Sequence, residues 1–107
     1  MILSSHKTLL EDICIAKENG FTTDFLFRDD IIYDRKTNKG YGKDDCILIE
    51  YCRHEGLNDP SDASILFLIE CADGTKGCLS SNYGIHADLD LMQFALSLRT
   101  RDQQNSQ

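Results

Sequence analysis

Long apolar runs are missing from this chain of 107 residues; none approaches the ~18–20 residues that a membrane-crossing helix requires. The opening MILSSHKTLL has no extended apolar stretch behind a basic start, and Glu11-Asp12 follows at once, so it does not read as a secretory signal. A cytoplasmic location is therefore expected. Five cysteines are an odd number, and without export they should stay reduced. Cys14, Cys46, Cys52, Cys71 and Cys78 then serve mostly as small buried hydrophobes. Basic residues are scarce where acidic ones are dense. Between Glu55 and Asp90, seven acidic residues meet the single base Lys76, so −6 of the net −7 lies there. Such a surface repels nucleic acid and anionic membranes, and neither is expected as a partner. Also missing are a C-x-x-C or H-x-x-x-H pair, a Gly-rich loop opening a helix and a G-x-S-x-G elbow. Ser80-Ser81 beside His86 thus has no nucleophile context, and no cofactor is expected.

What is present reads as one α+β domain over residues 1–100, followed by a polar tail, RDQQNSQ, over 101–107 that should fray. Hydrophobic residues at 41% and charged residues at 27% are an ordinary globular balance. Thr8-Leu9-Leu10-Glu11 has the form of a capping box, and Leu9, Leu10, Ile13 and Ala16 recur at helical spacing up to Gly20. This predicts a helix over 8–19. Short strands are expected around Phe25-Phe27 and Ile31-Tyr33, with a polar loop over 34–45 that has little reason to order itself. Cys46 to Arg53 is strand-like, and alternation assigns Ile47, Ile49, Tyr51 and Arg53 to a core face. Cys46, Leu48, Glu50, Cys52 and His54 then share the other, mixed face.

The stretch from Glu55 to Asp88 holds the strongest fold signal. An acidic turn around Asn58-Asp59-Pro60-Ser61-Asp62 precedes the apolar run Ile65–Cys71, and Asp73-Gly74 then turns the chain into Lys76–Ser81. Ile65, Phe67 and Ile69 should share a core face with Leu10, Ile13, Met92 or Leu96. Cys71 and Cys78 should face each other across the hairpin. Asp88 or Asp90 can cap a last helix whose apolar residues spread over more than one face, which a monomer would struggle to bury. The prediction is an antiparallel sheet of four to five strands, with the N-terminal and C-terminal helices packed on one face.

The resemblance carried by these residues is to a small family of uncharacterised bacterial proteins of about 100 residues. It runs from the TLLEDI opening through Gly20-Phe21-Thr22 and Asp24-Phe25. It is densest at Arg53, Glu55-Gly56, Asp59-Pro60, Asp62, Ser64, Asp73-Gly74, Lys76-Gly77, Tyr83-Gly84 and Ala87-Asp88. It implies a small α+β domain and no particular activity. Some members of that family bear an automatic label of phosphoribosylpyrophosphate synthetase, and the residues argue against it. Asp29-Asp30 runs into Ile31-Ile32-Tyr33, and Asp44-Asp45 into Cys46-Ile47-Leu48, with no amides free to cradle phosphate after either pair.

Two functional expectations follow. The leading one is a non-enzymatic protein-binding or regulatory module, with a homodimer as one form it can take, and with Glu55, Asp59, Asp62 and Asp73 meeting a basic partner. The alternative is a small-molecule or metal-dependent enzyme centred on Glu50, Cys52 and His54, with Glu55 next along the chain. Thiolate, imidazole and carboxylate are ligand types that zinc prefers, and strand neighbours two residues apart stand ~7 Å from each other. The bland reading of Cys52 and His54 is a half-buried sheet face with polar residues near its end.

Overall fold

A computed structural model describes residues 2–4, 7–54, 63–82 and 88–100. The first helix, α1 (Leu9–Glu18), begins at the expected capping box: Thr8 accepts from the Glu11 amide while the Glu11 carboxylate accepts from the Thr8 amide. It stops where Gly20 takes φ +97°, the left-handed position that a residue without Cβ enters freely. Three strands follow, β1 (Thr23–Arg28), β2 (Ile31–Asp34) and β3 (Gly40–Tyr41). Asp29 and Asp30 both adopt positive φ, 53° and 67°, so the acid pair makes the tight turn between β1 and β2. The region expected to be a disordered polar loop instead closes a second hairpin, because Asn38 accepts φ 63° and Tyr41 buries its ring beside Phe25.

A short 3-10 turn over Lys43–Asp45 leads into β4 (Cys46–His54), β5 (Ser64–Cys71) and β6 (Lys76–Asn82). The β5–β6 hairpin turns at Gly74, with φ +92°, where the Asp73-Gly74 pair predicts it. Asp88 then caps α2 (Leu89–Leu96), its carboxylate accepting from the Leu91 amide, and β7 (Arg99–Thr100) ends the described chain. The strands form one sheet in the order β3-β2-β1-β6-β5-β4-β7.

This architecture is α+β as expected, with three corrections. The sheet has seven strands and is mixed: two antiparallel meanders, β1–β3 and β4–β6, meet at a parallel β1–β6 seam, and β7 runs parallel to β4. The seam is possible because Gly77 lies opposite Thr23, where a side chain would collide with the neighbouring strand. Second, the helices lie on opposite faces. Ile65, Phe67 and Ile69 of β5 share a core with Leu91, Phe94, Ala95 and Leu98. The alternate residues Leu66 and Leu68 pack with Ala16, Ile13 and Leu9 of α1. Strand β5 is apolar on both faces because each face carries a helix. Leu10, expected in the core, is 74% exposed.

The third correction concerns β4. Its register with β5 shifts between Leu48 and Glu50, so one extra residue there swaps the faces of the strand. Cys46 and Leu48 point into the α2-side core, while Cys52 and Ile49 pack on the α1 side. The proposed core face of Ile47, Ile49, Tyr51 and Arg53 does not form: Tyr51 and Arg53 are exposed. Cys71 stands opposite Cys46 rather than Cys78, which pairs with Leu68. All five cysteines are free thiols.

Candidate functional site

Glu50, Cys52 and His54 stay on one face after the bulge, and that face looks at α1 and the N-terminal segment. Glu50 is engaged by the backbone at both carboxylate oxygens. Its two carboxylate oxygens accept from the amides of Ile2 (3.0 Å) and Leu3 (2.7 Å). This draws Leu3 into the α1-side core and lays the N-terminal segment over the end of the sheet. Next along, Ser4 donates its amide to Asp12 Oδ2 at 3.0 Å.

Asp12 was not among the residues singled out from the sequence. In a first helical turn beside Glu11, it reads as an ordinary acid complementing the helix dipole. The structure turns it inward, one helical turn before Ala16, and leaves it 0% exposed. Its Oδ2 meets His54 Nε2 at 2.7 Å, across 42 residues of sequence, and His54 is itself 4% exposed. Ligand-type atoms of Asp12, Cys52 and His54 all lie within 4.8 Å of one another. Periodicity carries one signal for this: Asp12 and Ala16 are four residues apart, on the stripe that Ile13 and Leu9 flank.

Chemically, the arrangement does not favour covalent catalysis by Cys52. Burial, then the nearby Asp12 and Glu50 carboxylates, push its thiol up from the ordinary range, opposite to the shift an activated nucleophile needs. Both Glu50 oxygens are engaged by the Ile2 and Leu3 amides, which ties this carboxylate to the N-terminal segment. Cys46, expected beside these residues, is on the far side of the sheet. Asp12, Cys52 and His54 remain as the group able to hold a cation.

Of the acidic residues expected to meet a partner, Glu55, Asp59 and Asp62 lie outside the described residues. Asp73 is engaged inside the fold: its Oδ2 contacts Lys39 Nζ at 2.8 Å and accepts from the Tyr41 hydroxyl at 2.9 Å, while Oδ1 accepts from the Thr75 amide. These bonds tie the β2–β3 hairpin to the β5–β6 turn. On the α2 side of the sheet, Asp30, Lys43, Asp90, Phe94 and Leu96 border an open cleft beside the helix. Leu89 and Leu96 on that helix are 70% and 49% exposed. No described helix is long and apolar enough to cross a membrane. Comparison with family models, with curated proteins and with solved structures finds no match to this chain.

Proposed function

We propose that this chain is a non-enzymatic binding module whose α2 face takes a protein partner carrying apolar residues between basic ones. The observation that carries the reading is the exposure of Leu89 and Leu96. They are seven residues apart, hence on one stripe of the helix, while Leu91, Phe94 and Ala95 fill the core from the other side. The sequence expectation that α2 has more apolar surface than its own core can use is consistent with this division. Asp88 at the helix cap, Asp90 in its first turn and Asp30 across the cleft outnumber the one base lining it, Lys43, and the whole chain carries −7. Apolar centre and charged rim are the usual anatomy of a protein-binding patch. The same charge opposes a second copy on this face, so a basic partner fits better than a homodimer. The family resemblance belongs to this proposal and brings no activity with it.

The test uses an immobilised amphipathic Leu/Lys helical peptide as probe, with light scattering on the free chain. A monomer that binds the peptide, loses it in high salt and loses it on Leu89→Ser plus Leu96→Ser is the expected result. These changes alter no charge. Retention unchanged in the double variant would overturn the reading, and so would a dimer held together by these two leucines.

A further inference from the structure

We propose that Asp12, Cys52 and His54 form a binding site for a divalent transition cation of the zinc class, placed between α1 and the end of β4. It is independent of the α2 face, which lies on the other side of the sheet. Carboxylate oxygen, thiolate sulfur and imidazole nitrogen together suit zinc and its near neighbours, whereas magnesium and calcium prefer oxygen alone.

The first support is convergence. The three ligand atoms are drawn from a helix and a strand and lie within 4.8 Å of one another. Ligand atoms on a tetrahedral zinc stand about 3.3–3.8 Å apart, given bonds of ~2.0–2.3 Å. The Asp12–His54 contact at 2.7 Å must open slightly and Cys52 must swing in, both movements within the reach of side-chain torsions. The bulge after Leu48 is what makes this possible, since it turns Cys52 and His54 toward α1.

The second support is unmet bonding. Asp12 and His54 are almost wholly buried, yet Asp12 Oδ1 and His54 Nδ1 have no hydrogen-bond partner among the described residues. A buried carboxylate with an unpartnered oxygen is costly, because desolvation is only partly offset. A cation bound by Asp12 through Oδ2, with the unpartnered Oδ1 free to turn onto it, and by His54 Nε2 compensates the buried carboxylate. It is also bound by Cys52 as thiolate. Binding displaces the proton between His54 Nε2 and Asp12 Oδ2, to Nδ1 where Nδ1 is bare and to solvent otherwise, and releases the Cys52 thiol proton to solvent, so the bound imidazole is neutral with its one proton on Nδ1. Two anionic ligands and one neutral ligand then balance a doubly charged ion, so the buried complex carries no net charge. Cys52 is only half-buried, which marks the side of entry and leaves a fourth coordination position for water or a small ligand.

The third support is the setting. Glu50 anchors the N-terminal segment over the cluster, and Ser4 donates to Asp12, so Asp12 is held in place before any ion arrives. Occupancy joins α1, β4 and that segment at one point and stabilises the folded chain by mass action.

The experiment titrates cobalt(II), a spectroscopic stand-in for zinc, into the full chain under reducing conditions after treatment with a chelator. One equivalent should bind, with a near-ultraviolet sulfur-to-cobalt band and visible bands of tetrahedral intensity, and zinc should displace it. Cys52→Ser should abolish the near-ultraviolet band and weaken binding by about tenfold or more. Cys14→Ser, at an exposed helix position, should change neither. Asp12→Asn and His54→Gln should also lose the ion, but both residues are buried, so Cys52→Ser with an unchanged circular dichroism spectrum decides. Absence of stoichiometric binding, a bound ion lacking the thiolate band, or a band that survives Cys52→Ser would each overturn the site.

Discussion

Asp73 shows how much one exposed side chain can contribute to the joining of two hairpins. The Lys39 ammonium, first, and then the Thr75 amide and hydroxyl and the Tyr41 hydroxyl hold its carboxyl well below the usual carboxylate range. The partner ammonium of Lys39 is raised in turn, chiefly by the same contact. A carboxyl whose folded value is depressed contributes stability above its ordinary value and loses it as pH falls through that range toward the folded value. Asp73→Asn should therefore lower the melting temperature at neutral pH, and the gap to the parent should narrow steadily on acidification. Melts at stepped pH check this; a gap that stays constant down to strongly acidic pH would mean the charge is irrelevant. Because the pair is exposed, added salt should narrow the gap as well.

At the scale of elements, the two glycines of the β5–β6 hairpin do different work. Gly74 needs its left-handed backbone angle and nothing else, since a Cβ there would meet no atom within 4 Å. Gly74→Val should cost ~1–3 kcal/mol through strain in the turn. Gly77 has no unusual angle, but a Cβ there would strike the Thr23 carbonyl oxygen and come within 2.7 Å of Thr23 Cβ and 2.8 Å of Phe25 Cε2. Even Gly77→Ala should therefore push β1 off β6 and cost about 3 kcal/mol or more, since rigid backbone cannot yield as a side chain does. Chemical denaturation of the two variants ranks them. A Gly77→Ala protein as stable as the parent would argue against the close parallel seam.

For the molecule as a whole, β5 is the shared wall of two cores. Phe67, fully buried, packs with the α2 side and meets Tyr51 at a ring-centroid distance of 6.1 Å. Phe67→Ala should cost ~3–5 kcal/mol by leaving a cavity. Small domains hold only ~5–15 kcal/mol in total, so partial or complete unfolding at room temperature is the expected outcome. Circular dichroism and tryptic susceptibility measure it, and a well-folded variant with an unchanged melt would remove β5 from the centre of the fold. The two-sided burial also explains why the helices are on opposite faces: a strand apolar at both odd and even positions must be covered twice.

Local interactions made much of this legible in the sequence. The capping box of α1, the Asp73-Gly74 turn, the Asp88 cap and the excess apolar surface of α2 each depend on residues within a few positions of one another, so spacing alone reveals them. Strands β3 and β7, two residues each, are too short for any pattern, and they exist because Tyr41 and Leu98 find places in a core assembled elsewhere. The bulge in β4 is likewise invisible, because alternation predicts faces only while the register is unbroken. That single inserted residue separates Cys46 from Cys52 and His54, which had looked like neighbours. The candidate cation site was half legible. Cys52 and His54 stand two apart on a strand and announce themselves by residue type. Asp12 is 42 residues from His54, and only its place on the stripe of Leu9, Ile13 and Ala16 separates it from a solvated first-turn acid. Residue type and spacing determined which elements form; burial across the sheet decided which of their polar groups meet.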